Sequence, residues 1–275
     1  MRGFEKNRIA IKPGIKYNKI RLVEPRKVNG LGEVISVISG KGGTGKTTLC
    51  AAIATCLAVE GKRVLCIDAD FGLRNLDIAL GMSDQSIVAF TDVIHGYYSL
   101  SDASEHPRFP GLFLLTAPVR ENEDQISPDD FGKLLEQARE AFDFCLIDAP
   151  AGIGVGFRLA TKFADRCLVI STPDPAAMRD AARTAELLEL DGKEEIKLIV
   201  NRITPRMFAK MDLTVDDVMD EVGLPLLGIV PEDPKVVLSA AFGNALILAA
   251  GGGAAEACLR ISRRLRGVPM PLMKL

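Results

Sequence analysis

The stretch that decides the fold of this chain is Gly40-Lys41-Gly42-Gly43-Thr44-Gly45-Lys46-Thr47-Thr48. It matches the pattern G-x-x-x-x-G-K-[ST], follows an apolar run and opens a helical pattern, which is the context in which this pattern forms a phosphate-binding loop. The four glycines allow a tight turn whose backbone N–H groups face phosphate oxygens, and the helix N-terminus adds a positive dipole end. With strand, helix and glycines all in place, the sequence predicts a nucleotide-binding protein.

Short apolar runs alternate with helical patterns on both sides of this loop, which predicts an α/β fold with a doubly wound, mostly parallel β-sheet flanked by helices. The predicted strands are Val34–Ser39, Val64–Ile67, Leu112–Leu115, Phe144–Ile147, Cys167–Ser171, Lys197–Val200 and Leu226–Val230. The predicted helices are Lys46–Glu60, Pro128–Phe142, Gly156–Ala164, Pro175–Leu190 and Val215–Val222. Because ligands of such folds bind at the carboxyl ends of the strands, motifs that follow strands should converge there.

Composition narrows the class of protein. Hydrophobic residues make up 48% of the 275 residues and aromatic residues only 5%, so the core must consist mainly of aliphatic side chains. No apolar run reaches the ~18 residues of a membrane-spanning helix. The basic N-terminus lacks the apolar segment of a secretory signal. The six cysteines form no C-x-x-C pair, which argues against a metal-cluster carrier and favours small core residues in a reducing cytosol.

Charge is distributed unevenly along the chain. Residues 1–30 carry nine basic and two acidic side chains, a net charge of +7, whereas the whole chain carries −2. We therefore expect three parts: a basic N-terminal arm of residues 1–31 that lacks a fixed structure, a P-loop ATPase domain of residues 32–268, and a short tail of residues 269–275. Charge alone leaves open whether the arm contacts anionic lipid, nucleic-acid phosphates or only solvent.

Carboxylates follow two of the predicted strands. Asp68 and Asp70 come directly after the second strand, and Asp148 follows the strand that begins at Phe144. At the edge of a parallel sheet these groups should lie beside the phosphate loop, where one can hold the water shell of Mg²⁺ and another can orient an attacking water. The sequence therefore predicts hydrolysis of a nucleoside triphosphate with Mg²⁺ as cofactor.

Two further features indicate a family. Lys41, directly after the first glycine, completes the pattern K-G-G-T-G-K-T-T, and residues 72–77 read G-L-R-N-L-D. The chain resembles the deviant Walker A ATPases of the MinD/ParA family from about Glu33 to Leu265, and its switch segment is most similar to the MinD branch. The flagellar-number regulator FlhG carries a similar but distinct segment.

The resemblance implies roles for individual residues. Lys41 would reach the nucleotide held by a partner subunit, and with Lys46 and Asp70 it forms the expected catalytic set. Metal binding would fall to Thr47, Asp68 and Asp148, and the switch residues would be Asn75, Pro150, Ala151 and Gly152. The expected ATP-binding residues are Gly40, Lys41, Gly42, Gly43, Thr44, Gly45, Lys46, Thr47, Thr48, Asn201, Arg202, Pro231, Glu232 and Asp233.

The resemblance also implies a function. ATP would drive homodimerisation, and the dimer would bind the inner face of the cell membrane. Hydrolysis would be slow until a MinC- or MinE-like protein triggers it and so releases the protein, and this cycle would serve division-site selection. The alternative is a ParA- or FlhG-like ATPase that acts on nucleic acid or flagellar assembly. The domain itself shows no basic patch, which weighs against nucleic acid as the partner.

Two positions depart from the MinD pattern. Gly154 stands where members of the branch often carry Glu, which bears on how the switch is coupled to a partner. Near the C-terminus, Cys258, Ile261, Leu265 and Val268 could form the apolar face of a basic amphipathic helix that lies on a membrane. Pro269 and Pro271 stop that helix. A last helix packed on the domain is the slightly favoured alternative.

Overall fold

The fold is organised around a central β-sheet in the part of the chain that the structure describes. The structure is a computed structural model and describes residues 30–71, 73–249 and 251–273. Its strands are β1 (Glu33–Ile38), β2 (Val64–Asp68), β3 (Ser104–Glu105), β4 (Leu112–Leu115), β5 (Phe144–Asp148), β6 (Arg166–Ser171), β7 (Ile196–Ile203) and β8 (Leu226–Pro231). All pair in parallel except β3, which is antiparallel to β4.

The helices cover both faces of this sheet. They are α1 (Lys46–Val59), α2 (Leu76–Leu80), α3 (Phe90–Ile94), α4 (Pro128–Ala141), α5 (Val155–Lys162), α6 (Pro175–Leu190), α7 (Pro205–Met211), α8 (Val215–Val222), α9 (Pro234–Ala241) and α10 (Gly253–Leu265). Successive residues of β1 enter opposite cores: Val34 and Ile38 lie in one cluster, Ile35 and Val37 in the other. Burial on both faces explains why the strands read as unbroken apolar runs.

The order of the strands places the phosphate loop in the middle of the sheet. The sheet runs β3-β4-β2-β5-β1-β6-β7-β8, so β1 lies between β5 and β6. The chain leaves β1 towards β2 on one side and later continues from β6 to β8 on the other, so the order reverses beside β1. Ligands of open parallel sheets bind at such a reversal. The predicted fold class is thus confirmed.

Local sequence signals account for several helix boundaries. Ser127 and Asp174 precede Pro at the first helical position, and their side chains accept hydrogen bonds from the N–H groups of Asp130 and Ala177. The chain after α1 turns at Gly61, whose φ of +80° suits glycine. All six cysteines are buried and free, as predicted from their apolar surroundings.

Sequence reasoning missed several short elements. No strand was predicted at β3, and no helix was predicted at α2, α3, α7 or α9. Each of these elements is eight residues or fewer, a length at which a helical period is weak. β7 continues three residues beyond its predicted end because of a bulge, at which Asn201 and Arg202 lie opposite the single residue Val230.

The packing of α10 contradicts one of the two expectations for this end of the domain, an amphipathic helix that lies on a membrane. Cys258, Ile261 and Leu265 are at most 3% exposed and pack with α1 and β8, so this apolar face is not available to a lipid surface. Val268 lies beyond the helix. The alternative, a last helix packed on the domain, is the one the structure shows.

The basic residues in and directly after this helix bind the protein while remaining partly exposed. Arg263 and Arg266 both pair with Glu60 at the end of α1. Arg260 and Arg264 donate to the carbonyl oxygens of Pro271 and Met270, so the tail folds back along α10. The predicted arm, apart from residues 30–31, lies outside the described residues. Within the described ranges, no helix is long and apolar enough to cross a membrane.

Candidate nucleotide-binding site

The carboxyl ends of β1, β2, β5 and β7 bring the predicted site residues together. Asp68 and Asp148 are register partners on neighbouring strands, and Lys46 Nζ lies 2.6 Å from Asp148 Oδ1. Asn201 reaches the phosphate loop from β7, since its Nδ2 donates to the Thr44 carbonyl oxygen at 2.8 Å. One edge of the sheet thus brings together four side chains, each more than 20 residues from the next in sequence: Lys46, Asp68, Asp148 and Asn201.

Glycine is required at two positions of the phosphate loop for different reasons. Gly45 has φ of +89°, and a Cβ there would lie 2.3 Å from Asn201 Nδ2. Gly40 packs so closely on α6 that a Cβ would come within 2.4 Å of the Asp180 carbonyl oxygen. The loop is therefore held between α6 and β7.

The centre of the site is a buried ion pair. Lys46 is 6% exposed and Asp148 is 1% exposed. Burial raises the pKa of the Asp148 carboxyl, while the Lys46 ammonium and a hydrogen bond from Thr47 pull that pKa down. Asp148 Oδ2 has no hydrogen-bond partner among the described residues. One carboxylate oxygen thus neutralises Lys46, and the other is left for a further donor or cation.

Asp68 organises the chain that follows β2. Its Oδ1 accepts the N–H of Asp70 at 3.0 Å and its Oδ2 accepts the N–H of Leu76 at 3.1 Å. Burial, with the nearby Asp148 carboxylate, raises the pKa of Asp68 to about 6. The residue was predicted as a metal ligand. The structure places it next to Asp148, but both of its oxygens already fix the start of the switch segment.

The raised pKa of Asp68 leads to an expected pH dependence of stability. A carboxyl whose folded-state pKa lies above its unfolded value binds its proton more tightly in the folded protein, so the free energy of unfolding falls as pH rises from about 4 to 6. We expect this group to account for about 3 kcal/mol over that window. Urea denaturation of the nucleotide-free protein between pH 4 and 7 measures it.

The matched comparison is between the wild type and Asp68→Asn. The variant cannot titrate at this position, so its free energy of unfolding at pH 6 relative to pH 4 should be about 3 kcal/mol higher than in the wild type, whatever its absolute stability. Asp77→Asn, at a partly exposed position of α2, should retain the slope of the wild type. Equal slopes in the wild type and Asp68→Asn would contradict the shift.

Lys41 and Asp70 lie at the same edge but outside the buried pair. The Lys41 side chain is 46% exposed, and its Nζ lies 3.6 Å from Asp174 Oδ1, a contact that the sequence did not indicate. Asp70 is partly exposed, and its carbonyl oxygen accepts the N–H of Arg74. Both side chains therefore border solvent, where a second molecule can reach them.

A pocket of about 270 Å³ opens beside the phosphate loop. Gly43, Gly45, Thr48 and Leu49 form one side, and the predicted residues Asn201, Arg202, Pro231, Glu232 and Asp233 form the other. Apolar side chains that sequence reasoning missed, Val236, Val237 and Leu246, complete the wall. A largely apolar slot next to a phosphate loop has the chemistry that a nucleoside base needs.

Within this pocket the charged residues differ in what they bind. Arg202 Nε donates to Glu232 Oε2 at 2.7 Å, which joins the ends of β7 and β8 at an exposed position. Asp233 caps α9, since its Oδ1 accepts the N–H of Lys235, and its Oδ2 accepts the N–H of Ala254. Asp233, predicted to bind ATP, therefore uses its carboxylate to hold two helices around the pocket.

The switch residues lie on loops after β2 and β5. Asn75 precedes α2 without capping it by its side chain. Gly152 has φ of +90° and donates its N–H to the Ser39 carbonyl oxygen, which attaches the segment of Pro150 and Ala151 to the end of β1. A Cβ at Gly154 would meet nothing within 4 Å. This fold therefore has room for a side chain at position 154, so glycine is not required there for steric reasons.

The donor set fits Mg²⁺ held jointly with a nucleotide. Asp148 Oδ2 accepts no hydrogen bond from the described residues, and Thr47, whose side chain lowers the pKa of Asp148, lies at the start of α1. The described residues contain no group of three or more His, Cys, Asp or Glu side chains that could hold a metal ion alone. This agrees with the preference of Mg²⁺ for few protein ligands together with waters and phosphates.

Comparison with known proteins also indicates a nucleotide-binding domain. The family model for the CobQ/CobB/MinD/ParA nucleotide binding domain matches residues 35–247. The septum site-determining protein MinD of Synechocystis sp. is 39% identical over 249 residues, which cover 88% of this chain and 92% of that protein.

Two solved structures are similar along most of the chain. MinD in the MinC:MinD cell division complex of Aquifex aeolicus superposes with a TM-score of 0.82 at 38% identity, over 88% of this chain and 99% of that one. MinD of Pyrococcus horikoshii, complexed with Mg-ADP, gives a TM-score of 0.75 at 27% identity, over 86% of this chain and 96% of that one.

Proposed function

The chain belongs to the CobQ/CobB/MinD/ParA family of nucleotide-binding domains, and we propose that it is a MinD-like ATPase that acts as an ATP-dependent dimerisation switch in division-site selection. The observation that carries the proposal is the exposed Lys41 within a phosphate loop whose other lysine, Lys46, is buried against Asp148. In this proposal, Lys46 serves the nucleotide of its own subunit and Lys41 serves that of a neighbouring subunit.

ATP binding follows from the loop and the pocket. The γ-phosphate replaces Asp148 as the partner of the Lys46 ammonium, and the backbone N–H groups of Gly42–Gly45 surround the phosphates. The adenine enters the pocket between Asn201 and Leu246. Mg²⁺, held by Thr47 and by Asp148 through water, would neutralise charge on the β- and γ-phosphates.

Hydrolysis proceeds by in-line attack of water on the γ-phosphorus. Asp70 orients the water, the bond between the γ-phosphorus and the bridging oxygen breaks, and ADP and phosphate are released. Lys46 in the same subunit and Lys41 from the partner stabilise the negative charge that develops on the phosphate oxygens. A switch of this kind must persist in its ATP-bound state, so we propose that turnover is slow until a partner protein binds.

The test compares association of the full-length protein with ATP and with ADP by light scattering coupled to size-exclusion chromatography. The wild type should dimerise with ATP and stay monomeric with ADP. Lys41→Ala should dimerise about ten- to a hundred-fold more weakly because a charged contact to the partner's nucleotide is lost. Lys133→Ala, which removes an exposed lysine on α4, is the matched control and should behave as the wild type.

Sedimentation of the same samples with anionic vesicles tests the membrane step. ATP-dependent pelleting supports a peripheral position at the cell membrane. Dimerisation without pelleting would leave a soluble switch and remove the membrane from the proposal. Because the apolar face of α10 is buried, the basic arm of residues 1–31 is the segment we propose for lipid contact.

The partner proteins belong to the proposal as well. The solved complex of Aquifex aeolicus contains MinC with MinD, and we propose a MinC-like partner for this chain, with a MinE-like activator as the further candidate. A ParA-like role on nucleic acid has less support, because the curated relatives that cover most of the chain are MinD proteins.

A further inference from the structure

Asn201 lies between the two halves of the nucleotide site. Its side chain lines the base pocket, and its Nδ2 donates to the Thr44 carbonyl oxygen at 2.8 Å. Asn201 is 6% exposed and Thr44 is 3% exposed, so this hydrogen bond is shielded from water. Thr44 lies 157 positions away in sequence, and no other hydrogen bond described in the structure joins the phosphate loop to β7.

The bulge in β7 explains why Asn201 reaches the loop. Val200 is the register partner of Ile229 and Ile203 that of Pro231, so two residues of β7 lie opposite Val230 alone. Arg202 absorbs the extra length in the left-handed region, with φ of +60°. Bulges beside binding sites change the direction of a side chain, and this one leaves Asn201 in contact with the loop.

The hydrogen bond fixes the orientation of one peptide group. Thr44 C=O and Gly45 N–H belong to the same planar trans peptide, so they point in opposite directions. With the carbonyl held towards Asn201, the N–H of Gly45 is directed away from β7. Gly45 has no Cβ to oppose this contact, since that atom would lie 2.3 Å from Asn201 Nδ2.

We propose that Asn201 is a positioning residue for the phosphate loop, and that it couples this loop to the base pocket. It holds the Thr44–Gly45 peptide so that the Gly45 N–H serves the phosphates, and it does so whether or not a base is bound. The inference rests on the proposed binding of ATP by this site. It gives Asn201 a role in phosphate binding in addition to contact with adenine.

Inorganic tripolyphosphate separates the two roles, because it offers phosphates without a base. We would measure its affinity and that of ATP for the full-length protein, both with Mg²⁺, by competition against a fluorescent ATP analogue. Asn201→Ala removes the donor. Asn201→Leu removes it while keeping the same number and branching of side-chain heavy atoms, which limits the loss of packing around β7. Val236→Ala changes the wall of the base pocket and leaves the residues of the phosphate loop as they are.

We expect both Asn201 variants to bind tripolyphosphate about ten-fold more weakly, because a buried carbonyl loses its donor. ATP should weaken by at least the same factor. Val236→Ala should weaken ATP and leave tripolyphosphate within two-fold. Thermal unfolding midpoints near that of the wild type show that the lower affinities are not due to unfolding.

Unchanged tripolyphosphate affinity in Asn201→Leu, with weaker ATP binding, would overturn the inference and leave Asn201 with the base alone. Weakened tripolyphosphate binding in Val236→Ala would overturn it too, since the loop would then respond to any change in the pocket. Failure of the wild type to bind ATP is a different result, which removes the proposed function itself.

Discussion

Replacing Lys46 by Met should destabilise the nucleotide-free protein by about 3–5 kcal/mol, because the variant leaves Asp148 buried without its counter-charge. The same change should lower the affinity for ATP about ten- to a hundred-fold, since the charged partner of the phosphates is lost. Urea denaturation measures the first effect and titration with a fluorescent ATP analogue measures the second.

The pH dependence of the loss of stability in Lys46→Met identifies the cause of that loss. Burial already raises the pKa of Asp148, and removal of Lys46 takes away the largest influence that lowers it. Asp148 should then bind a proton more readily, so the loss of stability in Lys46→Met should shrink as pH falls. The double variant Lys46→Met with Asp148→Asn removes the charge altogether and should recover most of the stability but none of the ATP affinity. Equal stability of the single and double variants at pH 8 would contradict this account.

Replacing Asp70 by Ala should reduce the rate of ATP hydrolysis by roughly 10²–10⁴-fold, the usual contribution of a residue that orients or deprotonates the attacking group. Affinity for ATP should change little, because the phosphates are bound by the loop and Lys46. The ATP-bound dimer should therefore accumulate. Single-turnover hydrolysis together with light scattering measures both.

The control for Asp70 is a neighbouring acid of the same segment. Asp77 lies in the first turn of α2, and its carboxylate accepts the N–H of Ile78 at an exposed position. Asp77→Ala should retain turnover within two-fold. If Asp70→Ala hydrolyses ATP as fast as this control, Asp70 does not orient the water, and the neighbouring Asp68 becomes the candidate.

The phosphate loop and the sheet around it were readable from sequence because each signal is local. A glycine pattern, an apolar strand and a following helix are contiguous, and their meaning does not depend on distant residues. The predicted starts of α4 and α6, at Pro128 and Pro175, were correct for the same reason. The alternation of strands and helices then implied which ends of the strands meet, although not the order of the strands.

The features that sequence reasoning missed depend on contacts between distant segments. The bulge at Asn201 and Arg202 arises from the pairing of β7 with β8, and neither residue type predicts a bulge from sequence. The two hydrogen bonds of Asp68 follow from the course of the chain after β2. The apolar residues of α10 have the same pattern whether they face lipid or protein, and only the packing of Ile261 on β8 decides between them.

The two margins of the sheet restrict how copies of this protein can associate. β3 contributes only two residues beside β4, too few to template another strand. At the opposite margin, Arg264 donates to the Leu226 carbonyl oxygen of β8 and also binds the tail at Met270. A strand of two residues at one border and a bound Leu226 carbonyl oxygen at the other limit how far a neighbouring molecule could extend this sheet. Under the proposed function, self-assembly uses the nucleotide edge of the sheet, where Lys41 and Asp70 border solvent.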